Sequence, residues 1–166
     1  MKLEEKIIHL LTQRKETVSI AESCTGGLLG QRLTSISGAS RVFGFGVVSY
    51  SGQAKQKLLN VSPSLIKKHG EVSQEIAQAM AQGIQRLSQS HYALSVTGIA
   101  GPTGGTALKP IGTVCLSLIS QKGQHIKNKI LHFSGNRSQI RRKASTAIFK
   151  ILVQALTKGG SHGNRK

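Results

Sequence analysis

Apolar positions along the chain follow two patterns, a helical spacing in some segments and short unbroken runs in others. The helical spacing predicts helices over residues 2–15, 25–36, 54–59, 64–69, 73–87 and 138–157. The apolar runs predict strands over residues 18–21, 46–50, 92–97, 113–120 and 126–133, the last two as a hairpin around Gly123. Helices that alternate with strands, followed by a hairpin, predict an α/β fold: a single-domain three-layer α/β/α sandwich with a mixed, mostly parallel sheet.

The length of the chain indicates its domain organisation. With 166 residues, of which 38% are hydrophobic, the chain has the size of one compact domain. We assign residues 1–157 to that domain and residues 158–166 to a basic, disordered tail. No apolar run reaches the ~20 residues that a membrane helix needs, and Glu4 and Glu5 interrupt the first apolar segment, unlike a signal peptide. The sequence therefore predicts a soluble, cytoplasmic protein without a membrane partner.

The charge distribution indicates an anionic ligand. The formal net charge is +17, and residues 77–166 contain 13 Lys and Arg but no acid. A solvated surface explains this charge equally well. Nucleic acid is not the favoured ligand, because aromatic residues make up only 4% of the chain and tryptophan is absent, which leaves few platforms for base stacking.

The absence of aspartate removes several classes of site. All six acidic residues are glutamates, whereas Ser-His-Asp triads, aspartic dyads, EF-hand loops and Walker-B sites usually need aspartate. Cys24 and Cys115 are too few for a disulfide framework and lack the paired spacing of a zinc site. The histidines show neither HExxH nor H-x-E spacing. We therefore expect no metal and no cofactor.

A helix opened by glycines follows the first predicted strand directly. This places Ser23 at the carboxyl end of a strand, where open α/β sheets bind ligands. Free amides of Gly26 and Gly27, together with the helix dipole, would hold a phosphate or an oxyanion. Ser23 is explained equally well as a helix N-cap and as a nucleophile, and the adjacent Cys24 is a rival nucleophile.

A serine nucleophile needs a base, and Lys55 is the candidate. With no aspartate and no histidine in a triad pattern, a lysine with a lowered pKa is the remaining type of base. Tyr50 is the last residue of the second predicted strand and Lys55 follows it closely, and adjacent parallel strands would bring that end beside Ser23. On pattern alone, a surface lysine is the simpler explanation.

A glycine-rich loop over residues 98–110 follows the third predicted strand. Its backbone amides would cradle a phosphate or a ribose. The loop lacks the glycine spacing of a P-loop and of a dinucleotide-binding fold, which disfavours a nucleoside triphosphatase and a Rossmann dehydrogenase. Without further context, a loop of this composition indicates only a turn.

Taken together, these motifs resemble the CinA carboxy-terminal domain family, and the matching stretches cover nearly the whole chain. They are Ala21-Glu22-Ser23-Cys24-Thr25-Gly26-Gly27, Ser37-Gly38-Ala39-Ser40, Phe43 with Gly46, Tyr50-Ser51 with Ala54-Lys55, Thr97-Gly98-Ile99-Ala100-Gly101-Pro102, and Gly104-Gly105 with Lys109-Pro110 and Gly112-Thr113. Glu71 departs from the small residue that the family pattern has at that position, which affects a local contact.

The resemblance implies a nicotinamide-nucleotide amidase of pyridine nucleotide recycling, which hydrolyses nicotinamide mononucleotide to nicotinate mononucleotide and ammonia. It implies Ser23 as the nucleophile, Lys55 as the base, and Tyr50 as a residue that positions or relays a proton. Amides at the helix start would hold the oxyanion of an acyl-transfer mechanism that needs no metal. Longer relatives carry a further amino-terminal domain, so the chain resembles a stand-alone deamidase. By family analogy we also expect a homo-oligomer.

The phosphate of this small-molecule nucleotide substrate would account for a cationic site. Arg137 and Arg141 are the expected contacts, because a guanidinium group binds phosphate as a fork. For Arg142 and Lys143 a solvated helix face is the simpler explanation. The complete set of expected substrate-binding residues is Cys24, Thr25, Gly26, Gly27, Thr97, Gly98, Gly101, Gly105, Arg137 and Arg141.

A binding protein is the competing functional class. In that case the same fold holds a nucleotide or a nucleic acid without catalysis, in a role linked to competence or DNA damage, and the net charge of +17 supports it. Nonspecific DNA binding weakens steeply with salt and survives the replacement of Ser23 by Ala. Deamidation should neither fall with salt in the same way nor survive that replacement. These two properties separate the two classes.

Overall fold

The computed structural model describes residues 1–121 and 125–158, in which helices alternate with strands. The helices are α1 (Leu3–Arg14), α2 (Leu28–Thr34), α3 (Gly52–Leu59), α4 (Pro63–His69), α5 (Gln74–Ser88) and α6 (Arg137–Lys158). The strands are β1 (Val18–Glu22), β2 (Phe43–Val48), β3 (Tyr92–Gly98), β4 (Thr113–Ser120) and β5 (His125–His132). A short 3₁₀ turn at Ala39–Arg41, which the apolar pattern did not indicate, precedes β2.

The strands form one mixed sheet in the order β2-β1-β3-β4-β5. Strands β2, β1 and β3 are parallel, β4 is antiparallel to β3, and β5 is antiparallel to β4. Four of these five strands therefore run in one direction, which confirms the mixed, mostly parallel sheet. Because β1 lies between β2 and β3, the carboxyl ends of three parallel strands meet at one edge of the sheet.

Helices cover both faces of the sheet, and each face has its own apolar core. Helices α1, α2 and α6 pack on one face, where Leu33 and Phe149 are fully buried. Helices α3, α4 and α5 pack on the other face around Met80 and Ile84. This arrangement confirms the predicted three-layer sandwich. None of the described helices is long and apolar enough to cross a membrane.

Most helices and strands lie close to their predicted positions, and β4 has the predicted bounds. Strand β2 begins at Phe43, three residues before the predicted start, because two glycines within it weaken its strand pattern. Helix α6 extends one residue beyond the prediction at each end, so it includes Lys158, which we had assigned to the tail. The turn expected at Gly123 and the rest of the expected tail lie outside the described residues.

Helix α2 begins at Leu28, three residues later than predicted, because Gly26 and Gly27 have positive φ and form a turn before it. The carboxylate of Glu22, only 4% exposed, caps this helix. It accepts hydrogen bonds from the amide of Gly27 at 3.1 Å and from two amides of α2 at 3.1 and 2.9 Å. The helix dipole also favours a carboxylate in this position. Glu22 therefore stabilises the turn and the helix together.

Replacing Glu22 by Ala is expected to lower the free energy of unfolding by about 3 kcal/mol, because three amides in a buried site lose a charged acceptor. Urea unfolding followed by circular dichroism measures this change. Glu5→Ala is the matched control, since Glu5 accepts a hydrogen bond from the amide of Lys2 at an exposed helix start. We expect that control to lose about 1 kcal/mol or less. Equal losses in the two variants would contradict the capping role of Glu22.

Candidate active site

A cleft of about 220 Å³ opens at the carboxyl edge of the parallel strands. Its walls come from the segments that follow β1, β2 and β3, from the residues before α5, and from the start of α6. Of the site residues expected from the sequence, the cleft brings together Ser23, Cys24, Tyr50, Lys55, Thr97, Gly98, Gly101 and Arg137.

Ser23 and Lys55 form a hydrogen-bonded pair at the base of the cleft. Ser23 directly follows β1, and its amide donates to the carbonyl of Val96 on β3 at 3.0 Å, which fixes the backbone there. Lys55 lies in the first turn of α3, and the parallel pairing of β1 with β2 brings this turn beside Ser23. The Nζ atom of Lys55 lies 3.1 Å from Oγ of Ser23. The predicted proximity of the two side chains is therefore confirmed.

Lys55 is 1% exposed, so the alternative of a surface lysine is wrong. Its amine also donates to the carbonyl of Ser49 at 3.1 Å and lies 3.5 Å from the carboxylate of Glu71. Burial lowers the pKa of the Lys55 amine below its ordinary value, and the charge of Glu71 acts in the opposite direction. Burial thus favours the neutral amine, which is the form that accepts a proton.

Cys24 also lines the cleft, but its thiol packs into the apolar core. Burial raises the pKa of the Cys24 thiol to about 12. The nucleophilic form of cysteine is the thiolate, so a thiol with this pKa is unreactive at neutral pH. The geometry therefore favours Ser23, which has an amine within hydrogen-bond distance, over Cys24 as the nucleophile.

Tyr50 and Arg137 meet at the rim of the cleft. The guanidinium group of Arg137 donates to the hydroxyl of Tyr50 and, at 2.7 Å, to the carbonyl of Gly101. These contacts join the start of α6 to the segment that follows β2 and to the glycine-rich loop. Among the described contacts, the hydroxyl of Tyr50 bonds to Arg137 and not to Ser23 or Lys55. The arrangement places one positive charge at the rim, within reach of an anionic ligand.

Thr97 and the loop that follows β3 form a further wall of the cleft. The Thr97 hydroxyl donates to the carbonyl of Glu71 at 2.9 Å, so it holds that wall in place. Gly101 has a φ of +76°, and a Cβ added there would lie 2.7 Å from the side chain of Ile111. Glycine is therefore needed for the loop to pack against Ile111.

Five of the expected binding residues do not line the cleft, judged from the residues that the structure describes: Thr25, Gly26, Gly27, Gly105 and Arg141. The amides of the two glycines that precede α2 are already used, one by the carbonyl of Ser23 at 3.0 Å and the other by Glu22. Arg141 donates through two nitrogens to the carbonyl of Thr25, at 2.6 and 3.2 Å. The expectation that these groups face an anion is therefore corrected, because Thr25, the two glycines and Arg141 hold the turn together and attach it to α6. Gly105 packs against Ile111 instead, since a Cβ added at Gly105 would lie 2.8 Å from the amide nitrogen of Ile111.

The amide of Cys24 is a better candidate for an oxyanion donor. It has no hydrogen-bond acceptor among the other residues that the structure describes. It also directly follows Ser23, which is the position from which a backbone amide helps to form the oxyanion hole in α/β-hydrolases. The sequence interpretation assigned the amides of Gly26 and Gly27 to an anion, because the hydrogen bonds of these amides to Ser23 and Glu22 were not foreseen.

The sequence interpretation missed the wall that precedes α5. Glu71 and Val72 line the cleft there, and Ile99, Ala100, Thr103 and Gly104 line it from the loop. Glu71 follows α4, and the local pattern does not show how close this segment comes to Lys55. The sequence nevertheless contained one indication that Glu71 has a special role, since it is one of only six acidic residues in the chain.

Comparison with known proteins places these features in a family. The family model of the CinA C-terminal domain matches residues 1–156. A CinA-like protein of Chlorobium phaeovibrioides is 44% identical over 163 residues, which is 96% of this chain and 38% of that protein. The chain spans well under half the length of the curated relatives that it matches.

Two solved structures share the fold over nearly their whole length. The competence/damage inducible protein CihA from Agrobacterium tumefaciens superposes with a TM-score of 0.90 at 37% identity, covering 93% of each chain. The competence damage-inducible protein A (ComA) from Klebsiella pneumoniae gives a TM-score of 0.90 at 31% identity, covering 98% of this chain and 97% of that one.

The fold and the cleft define a three-layer α/β protein with a serine–lysine pair at the carboxyl edge of its sheet. The chain belongs to the CinA C-terminal domain family, which confirms the resemblance that its motifs carry. These relatives are consistent with an enzyme, and their names refer to induction by competence or damage.

Proposed function

We propose that the chain is a nicotinamide mononucleotide deamidase, which releases ammonia and nicotinate mononucleotide in pyridine nucleotide salvage. The observation that carries this proposal is the 3.1 Å contact between Oγ of Ser23 and the buried amine of Lys55 inside a cleft. A serine with a desolvated lysine as its base is suited to acyl transfer, and hydrolysis of a carboxamide is acyl transfer to water. Family membership supplies the substrate class, through the activity that the resemblance implies.

In the first half of the reaction, the neutral amine of Lys55 accepts the proton of Ser23 as Oγ attacks the carboxamide carbon. A carbon–oxygen bond forms, and the carbonyl oxygen becomes an oxyanion, for which the amide of Cys24 is the proposed donor. Lys55 then returns the proton to the leaving nitrogen. The carbon–nitrogen bond breaks, ammonia departs, and the substrate acyl group remains as an ester on Ser23.

In the second half, water attacks the ester and Lys55 accepts one of its protons. The bond between the carbonyl carbon and Oγ breaks, and Lys55 gives the proton back to Ser23. The product leaves as a carboxylate and releases one proton to solvent at neutral pH. The amine of Lys55 lies close enough to Oγ to serve in both halves without moving.

Arg137 is the proposed contact for the phosphate of the substrate. Its guanidinium group stands at the rim of the cleft, fixed by Tyr50 and by the carbonyl of Gly101. A guanidinium group has further donors in a planar fork that suits phosphate oxygens. Tyr50 then acts as a support for Arg137, which differs from the proton relay that the family resemblance implies.

Replacing Arg137 by Gln is expected to raise the KM for nicotinamide mononucleotide by about tenfold, with a smaller effect on kcat, because the lost contact is remote from the reacting bond. Steady-state kinetics of ammonia release measures both constants. Arg142→Gln is the matched control, since Arg142 is an exposed arginine of the same helix. An unchanged KM in Arg137→Gln would place the phosphate elsewhere.

The proposed function is tested by incubating the purified chain with nicotinamide mononucleotide and no added metal. We expect ammonia and nicotinate mononucleotide in equal amounts, and a hydroxamate of the acyl group when hydroxylamine is added. Folded protein that gives no ammonia would contradict the proposal. If that protein also binds DNA with an affinity that falls steeply with salt, the charge of +17 would instead support a nucleic-acid-binding function.

A further inference from the structure

We propose that Glu71 is a positioning residue for Lys55: its carboxylate holds the lysine amine beside Ser23 and sets the pH range over which the site works. This inference rests on the proposed function, in which Lys55 is the base. Glu71 lies in the loop between α4 and α5 and lines the cleft opposite α3.

The contact between Glu71 and Lys55 completes the surroundings of the amine. Nζ of Lys55 lies 3.5 Å from Oε2 of Glu71, 3.1 Å from the carbonyl of Ser49 and 3.1 Å from Oγ of Ser23. The Ser49 carbonyl and the Glu71 carboxylate can each accept a hydrogen bond from the amine. Oγ of Ser23 is the third neighbour of the amine. Two acceptors that direct the amine in this way orient it toward the nucleophile.

Two hydrogen bonds hold the segment that carries Glu71. The Thr97 hydroxyl donates to its backbone carbonyl at 2.9 Å, and the amine of Lys109 donates to the neighbouring carbonyl of His69 at 2.7 Å. On the side of α3, a Cβ added at Gly52 would lie 2.9 Å from Oε1 of Glu71. The carboxylate therefore occupies a space that Gly52 leaves open, within a loop that is attached to β3 and to the glycine-rich loop.

The charges around the amine determine the direction in which Glu71 changes the pKa of Lys55. Burial lowers the pKa of Lys55, and the Glu71 carboxylate raises it. The nearby Cys24 has a pKa of about 12, so its thiol is uncharged at neutral pH. The other groups in the cleft that face this position are the Tyr50 hydroxyl and the Arg137 guanidinium, which are bonded to each other at the rim. Glu71 is the carboxylate of this cleft, so its removal leaves the positive amine without its neutralising partner and favours the neutral form.

Glu71→Gln keeps the shape of the side chain and removes its charge. We expect the acid limb of the kcat/KM profile to move to lower pH, because the lysine becomes neutral at a lower pH once the nearby negative charge is removed. The side chain of Glu71 is 49% exposed, so salt screens its charge. High ionic strength should therefore shift the wild-type limb in the same direction as the substitution and leave the variant nearly unchanged.

Glu75→Gln is the matched control. The side chain of Glu75 is also 49% exposed and lies 3.4 Å from His69, but it does not line the cleft. The substitution changes the net charge of the protein by the same amount. We expect the pH profile of this variant to coincide with that of the wild type.

A measurement that does not depend on turnover separates this proposal from the proposed function. The titration of Lys55 is followed by NMR in protein labelled with ¹³C at the ε-carbon of lysine, with the signal assigned through Lys55→Met. A lower titration midpoint in Glu71→Gln than in the wild type supports the proposal, even if the wild type proves inactive and the deamidase proposal fails. An unchanged midpoint overturns the role of Glu71, even if the wild type is an active deamidase.

Gly52→Ala tests the same contact from the other side. The added methyl group should displace the carboxylate from the amine and lower the midpoint of Lys55 while Glu71 keeps its charge. The double variant with Glu71→Gln should then show no further shift, because both changes act through one contact. Additive shifts of the Lys55 midpoint would contradict the inference that Gly52 leaves the space in which the Glu71 carboxylate lies.

Discussion

Ser23→Ala is expected to lower the rate of ammonia release from nicotinamide mononucleotide by at least about 10⁴-fold, because it removes the atom that forms the acyl-enzyme. The fold should survive, since the backbone of Ser23 is held by the hydrogen bond from its amide to the carbonyl of Val96, and its side chain contacts only the amine of Lys55 among the described hydrogen bonds. Steady-state assays together with urea unfolding check both statements.

Cys24→Ala is the control for the nucleophile. The thiol of Cys24 is buried and stays protonated at neutral pH, so its loss should affect packing more than catalysis. We expect this variant to keep most of the wild-type rate, because alanine retains the backbone amide that we propose as the oxyanion donor. A full rate in Ser23→Ala together with a large loss in Cys24→Ala would move the nucleophile to the cysteine.

Lys55→Met is expected to lower kcat by at least about 10³-fold, because methionine fills the same space without a group that accepts a proton. Lys55→Arg should be equally inactive, since a guanidinium group stays protonated and cannot act as a base. Rates measured at saturating substrate, where binding no longer limits turnover, report this loss directly.

Lys57→Met is the matched control for the base. Lys57 lies on the same helix but is exposed, and the substitution removes the same charge from the protein. We expect a rate close to that of the wild type. If Lys55→Arg retained the wild-type rate, the role of Lys55 as a general base would have to be abandoned, and the lysine would be a fixed positive charge instead.

The sequence predicted the parts of the fold that depend on local pattern and on simple topology. The apolar periods placed the helices and strands, and the rule that adjacent parallel strands end at one edge brought Ser23 and Lys55 together. This second inference needed no knowledge of side-chain packing, because the position of each residue relative to its strand end was sufficient.

The parts that failed depend on contacts between distant segments. Glu22 uses the amides that were assigned to an anion, and Arg141 binds the carbonyl of Thr25 across 116 positions of the chain. The position of Glu71 beside Lys55 depends on how α4 and its following loop pack against α3. A local pattern carries no information on such pairings, because each depends on where the whole fold places two separate backbones.

The burial of Lys55 also couples the stability of the protein to pH. Because burial lowers the pKa of the amine relative to the unfolded chain, the unfolded state binds more protons in the interval between the two pKa values. The free energy of unfolding therefore rises with pH across that interval. The loss of one proton both relieves a buried charge and creates the base, so the protein gains stability as it becomes chemically competent.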